Sequence, residues 1–203
     1  MIHFKKNPHY MLYYFYIHLL IALFSIVYIV FFGSFIPEVS LVTAGILFPF
    51  SFIFGLIIAT AFHNASHGNI KPRWLNKVLG EVIGYYVLDG MRPFRVGHIA
   101  HHSHFDDPLL DPHLLMGQSF WQFIKYSKGN TIEVLKRIYF KAHGDNDVSV
   151  KQINHQLLIY KIGFVFKIGF WYFIFGPALF LLFYLPSFLS YFFGFAYLNY
   201  AFY

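Results

Sequence analysis

Cysteine is absent from the 203 residues, so no disulfide can form and any metal site must use nitrogen and oxygen ligands. Charge is scarce too. Asp, Glu, Lys and Arg together make 12% of the chain against 58% hydrophobic residues, too little to cover the surface of a soluble domain of this length. There is no Gly-rich dinucleotide fingerprint, and there are no Cys or paired axial ligands for a redox cofactor of the chain's own. The net charge of +6 does not read as a nucleic-acid footprint, because Lys and Arg lie between long apolar runs instead of among exposed aromatics. These absences exclude a soluble, disulfide-bonded or nucleic-acid-binding protein and leave a membrane protein.

What is present is apolar length. Residues 11–32 form a run of 22, interrupted only by His18 and Ser25, and about 20 suffice to cross a bilayer as a helix. A short turn at Gly33, Ser34 and Pro37 leads to a second run, 39–62. Lys5 and Lys6 precede the first run and no A-x-A-like cleavage site follows it, which marks an anchor and not a signal peptide. Residues 63–161 turn polar and carry 12 of the 15 Lys and Arg. A second apolar block, 162–203, is broken by Gly176-Pro177 and by Pro186. It reads as a hairpin turning near Pro186, with Lys167 snorkelling from the end of its first span. No internal repeat is visible. The expected fold is all-α: a single integral-membrane domain over 1–203 with about four spans. The loop at 33–40 holds one acid, Glu38, and no Lys or Arg, so the positive-inside rule puts the N-terminus and the polar middle on the cytoplasmic side.

Histidine concentrates in that polar middle. His63 and His67 stand at i and i+4 at the end of the second span; His98, His101 and His102 stand at i, i+3 and i+4. On helices each set projects from one face, and both sets sit at one membrane surface. His104 falls off the second arc. His3, His9, His113 and His143 read as surface residues, and His18 as interfacial. Imidazoles suit iron, zinc, copper or nickel, so spacing alone does not select the metal. A zinc protease is disfavoured because Asn64 stands where H-E-x-x-H needs its glutamate.

H-x3-H at His63 and His67, followed 31 residues later by H-x2-H-H at His98–His102, resembles the membrane fatty acid desaturases and the related carotenoid ketolases and hydroxylases. HNASHG resembles the first histidine box of that family, and Asp111-Pro112 the Asp-Pro that often follows the second. The likeness is close over residues 40–115. It implies a histidine-cupped cytoplasmic site for non-haem di-iron, with His63, His67, His98, His101 and His102 as ligands. It also implies O2 as oxidant, a membrane lipid or acyl chain as substrate, and electrons from a separate ferredoxin- or cytochrome b5-type protein. Asp111 is expected to orient a ligand histidine, whereas Asp106 and Asp107 cap a helix end or face water. The family's third box is missing before Tyr203, so the sequence is expected to be C-terminally incomplete, and His155 is the one candidate for an additional ligand.

Three activities fit these residues: desaturation of an acyl chain, hydroxylation or ketolation by the same chemistry, and metal binding without redox chemistry. Residues 118–142, with Phe120, Trp121, Phe123 and Ile124 beside Lys125, Lys128, Lys136 and Arg137, are expected to lie on the membrane surface or to pack as an ordinary helix.

Overall fold

The structure is a computed structural model that describes residues 2–33, 39–105, 107–113 and 117–202. Among these residues all regular structure is helical: α1 Ile2–Lys6, α2 Tyr10–Phe32, α3 Leu41–His67, α4 Arg73–Tyr86, α5 Met91–Ser103, α6 Phe120–His143, α7 Asp147–Leu179 and α8 Leu185–Phe202, with a π-helical turn, Phe180–Tyr184, joining the last two. Three helical stretches are long and apolar enough to cross a membrane: Tyr10–Phe32, Leu41–His67 and Asp147–Ala201. Their ends carry local signals. Ser40 accepts a hydrogen bond from the Thr43 amide at the start of α3, and Gly68 closes α3 in the left-handed conformation. Ser119 and Gln122 form a capping box on α6. Asn146 accepts from the Ser149 amide on α7.

The third apolar stretch folds back on itself, and it does so at Gly176, not near Pro186 as the sequence suggests. Gly176 has φ 68° and ψ 167°, a conformation open to glycine and strained for other residues. The ring of Trp171 before the break lies 5.7 Å from that of Tyr184 after it, far closer than thirteen residues of unbroken helix would allow. Pro186 sits inside a continuous helix. The π turn just before it hydrogen-bonds at i→i+5, with the Leu185 amide reaching the Phe180 carbonyl, and such a widened turn tolerates the missing proline N–H.

The two arms of this hairpin pack in register on the first two spans. Along α2, Phe15 meets Tyr160 at 5.2 Å and Ile26 lies against Gly169, so α7 runs parallel to α2. Along α3, Phe54 meets Phe183 at 5.4 Å and Phe62 meets Tyr191 at 6.2 Å, so α8 runs parallel to α3. Lipid supplies no hydrophobic drive between helices, and close approach depends on small residues. Gly55 is the tightest case: a Cβ there would sit 2.2 Å from the Ser187 carbonyl oxygen.

Between these arms lies the turn from α4 to α5. Val87 and Leu88 are buried, and Leu88 has φ 66°. Irregular backbone in a membrane protein must find partners within the protein, and the spanning helices supply them. Trp171 Nε1 donates to the Tyr85 carbonyl at 3.2 Å, Tyr184 Oη donates to the Tyr86 carbonyl at 2.9 Å, and the Met91 amide donates to Tyr14 Oη at 2.8 Å. Lys167 Nζ donates to the Leu88 carbonyl. Lys167 therefore does not snorkel; it is buried at 3% exposure, tying a span to the turn. His18 is likewise buried, its Nε2 3.7 Å from the carboxylate of Glu81 and its ring 4.1 Å from Tyr14.

Helix α6 packs on the domain. Phe123, Val134, Ile138 and Tyr139 are buried, and of the four aromatic and aliphatic residues at its start only Trp121 is exposed. Phe120 and Phe123 contact Tyr200 of α8.

Candidate metal centre

Phe62 is fully buried and its ring lies 4.2 Å from that of Phe94 on α5. This contact sets the register of the two helices: the next residue on α3 is His63, and one turn on from Phe94 is His98, over which Phe94 stacks at 5.4 Å. Gly84 lets the α4–α5 turn close, because a Cβ there would lie 2.5 Å from the Met91 nitrogen. Asn76 fixes the chain beyond His67, donating to the Ala65 carbonyl and accepting from the Ile70 amide.

The result is convergence of four of the five histidines singled out by spacing. One nitrogen from each of His63, His67, His98 and His102 lies within 4.8 Å of all the others. His98 Nε2 is 2.9 Å from His67 Nε2 and 3.1 Å from His102 Nε2. Two nitrogens bound at right angles to one ion, each about 2.1 Å from it, sit about 3 Å apart, so these separations suit a shared cation. Burial, and then the neighbouring imidazoles, pull the pKa of His98 down to about 2, which leaves it a neutral donor, as metal ligation requires. Its buried Nδ1 has no hydrogen-bond partner among the described residues. The donor set is all imidazole, which fits iron as well as zinc, copper or nickel.

His101 takes a different direction. At about 100° per residue, His101 and His102 lie on opposite flanks of His98, about 60° to one side and about 40° to the other. His102 joins the cluster, and His101 turns to Asp111, its Nδ1 2.7 Å from Oδ1 with both side chains buried. Asp111 thus lies within hydrogen-bond distance of a histidine of the second set. Asp107 neither caps α5 nor only faces water: its Oδ1 accepts from the Leu109 and Leu110 amides in the turn that follows; Asp106 lies outside the described residues. His104 is the exposed C-cap of α5 and stands apart from the cluster, in line with its helical position. His155 is exposed on α7, with Nε2 2.9 Å from Tyr16 Oη, and is not among the converging four.

One histidine read as a surface residue is placed otherwise. His113 lies with its ring 5.0 Å from that of His101, its buried Nδ1 has no hydrogen-bond partner among the described residues, and burial pulls its pKa down to about 4. The signal was its position two residues after Asp111, whose Oδ1 accepts the His113 backbone N–H at 2.8 Å.

His98 and His113 both line a cavity of about 460 Å³, walled elsewhere mainly by apolar side chains such as Phe94, Phe123, Phe164 and Phe188. A volume of this order is typical of a small-molecule site.

A family model described as fatty acid desaturase matches residues 39–202, a span that includes the four converging histidines, His101, Asp111 and most of the cavity wall. No curated protein and no solved structure matches the chain. With that match extending over most of its length, the chain belongs to the fatty acid desaturase family.

Proposed function

We propose that the chain is an iron-dependent oxidoreductase of the membrane that uses O2 to introduce a double bond into a lipid acyl chain. Membership of the desaturase family supports a lipid desaturase-type function. The observation that carries the finer reading is the meeting of the imidazole cluster and the apolar cavity at His98, which belongs to both. Such a junction suits oxidation of a substrate with no polar handle at the reacting carbon.

His63, His67, His98 and His102 would hold iron, with His101, held by Asp111, beside them. Iron bound there supplies the capacity to activate O2 and break an unactivated C–H bond. The remaining roles fall to the chain itself. The phenylalanine walls bind the acyl chain and keep water from the oxidant. Phe94 fixes the His98 ring by stacking, and Asp111 fixes the proton of His101 on Nδ1. The reaction balances with an external reductant: the substrate gives up two hydrogens, a donor protein supplies two electrons, water supplies two protons, and O2 leaves as two waters. A ferredoxin- or cytochrome b5-type protein fits that need, since the sequence carries no dinucleotide fingerprint or Cys ligands of its own. The charge bias supports a cytoplasmic location for the N-terminus and the histidines, where such a donor would dock.

The test is to express the chain with iron in a host membrane and profile the acyl chains by mass spectrometry against a His98→Ala control. New chains lacking two hydrogens, absent from the control, are expected. Products that gain oxygen would instead identify a hydroxylase or ketolase, and an unchanged lipid profile would remove the enzymatic reading.

A further inference from the structure

His113 lies outside both histidine clusters of the sequence, yet the fold brings it to them. One oxygen of Asp111 receives His101 Nδ1 and the His113 backbone N–H, so a single carboxylate clamps two imidazole-bearing residues. With the His101 proton held on Nδ1, its lone pair is on Nε2. Among the described residues nothing hydrogen-bonds the buried His113 Nδ1, a costly state unless another partner takes the nitrogen. Packing against Phe123, whose ring centre is 6.3 Å away, accounts for the ring but not for the nitrogen.

The spacing of the two rings matches that of the converging cluster. His67 and His98 have ring centres 4.8 Å apart at 73°, and His98 and His102 have theirs 4.5 Å apart at 88°. These are the pairs whose nitrogens stand 2.9 and 3.1 Å apart. His101 and His113 have ring centres 5.0 Å apart at 77°. His101 is also next to the cluster, its ring 5.5 Å from that of His102.

We propose that His113 is a metal ligand, paired with His101 at a second metal position beside the four-histidine centre. The proposal rests on the reading of the chain as an iron enzyme and extends its ligand set to a residue outside the two boxes. Because His113 and His98 line the same cavity, both metal positions would border the chamber that receives the acyl chain.

Metal content per chain, measured by mass spectrometry on protein purified from iron-supplied membranes, tests the proposal. The unaltered chain is expected to hold two irons. His113→Phe fills the space of the imidazole without a donor atom and is expected to hold one; so is His113→Ala, with the second restored by adding free imidazole. Two irons in His113→Phe would overturn the proposal. So would an unaltered chain holding a single metal that His98→Ala removes, an outcome that leaves the four-histidine site standing. An unaltered chain with no metal would overturn both this proposal and the proposed function.

Discussion

Oδ1 of Asp111 lies 2.7 Å from Nδ1 of His101, and each side chain is only 1% exposed. A pair so fully removed from water fixes one tautomer of the imidazole and one direction for its second nitrogen. Asp111→Asn keeps an acceptor but removes the charge that makes this bond strong. Metal affinity is expected to fall about 10- to 100-fold, with membrane insertion unchanged. Chelator competition on the purified protein measures it, and unaltered affinity would separate His101 from the metal.

Replacing His63, His67 or His102 by Ala should abolish lipid oxidation and leave the protein inserted, because the spans hold the fold and the imidazoles project at helix ends. His104→Ala is the contrast. His104 is an exposed helix cap, and its loss should leave metal content and turnover as they were. Loss of metal in His104→Ala would show that the cluster extends beyond the four converging side chains.

Much of this was legible in the sequence. The apolar runs gave the first two spans to within a few residues at most boundaries, and the i, i+4 spacing gave both halves of the four-histidine cluster. The rest depended on contacts between distant segments. Pro186 looked like the stronger breaker, but a π turn absorbs it and Gly176 supplies the reversal. The separation of His101 from His102 follows from helical angles, yet the reason His101 is useful where it points is Asp111, ten residues on. His113 looked like any interfacial histidine until the turn after Asp111 folded it under His101.

Gly55 is where α3 and α8 approach most closely. A methyl group there meets the Ser187 carbonyl at 2.2 Å, and backbone cannot yield as a flexible side chain does. Gly55→Ala is expected to destabilise the protein by about 1–3 kcal/mol, the usual cost of overpacking, read as a lower midpoint of thermal unfolding in detergent. An unchanged midpoint would mean that the two helices are not in contact at this level.

Lys167→Met offers a sharp test of the buried turn. The Leu88 carbonyl would lose its donor in a site closed to water, at a cost of about 1–3 kcal/mol. A lysine that merely reached the headgroups would change stability by less than about 0.5 kcal/mol on replacement, as most surface residues do. Thermal unfolding of the two proteins side by side separates these outcomes.

If His63, His67, His98 and His102 meet around iron, X-ray absorption at the iron edge, with total metal analysis of the same sample, will detect it. The expected result is iron with a shell of nitrogen neighbours and the multiple-scattering signature of imidazole, with the iron of the four-histidine position lost in His98→Ala. Iron whose spectrum is the same in His98→Ala, or a site filled by zinc when iron is supplied in excess, would contradict it.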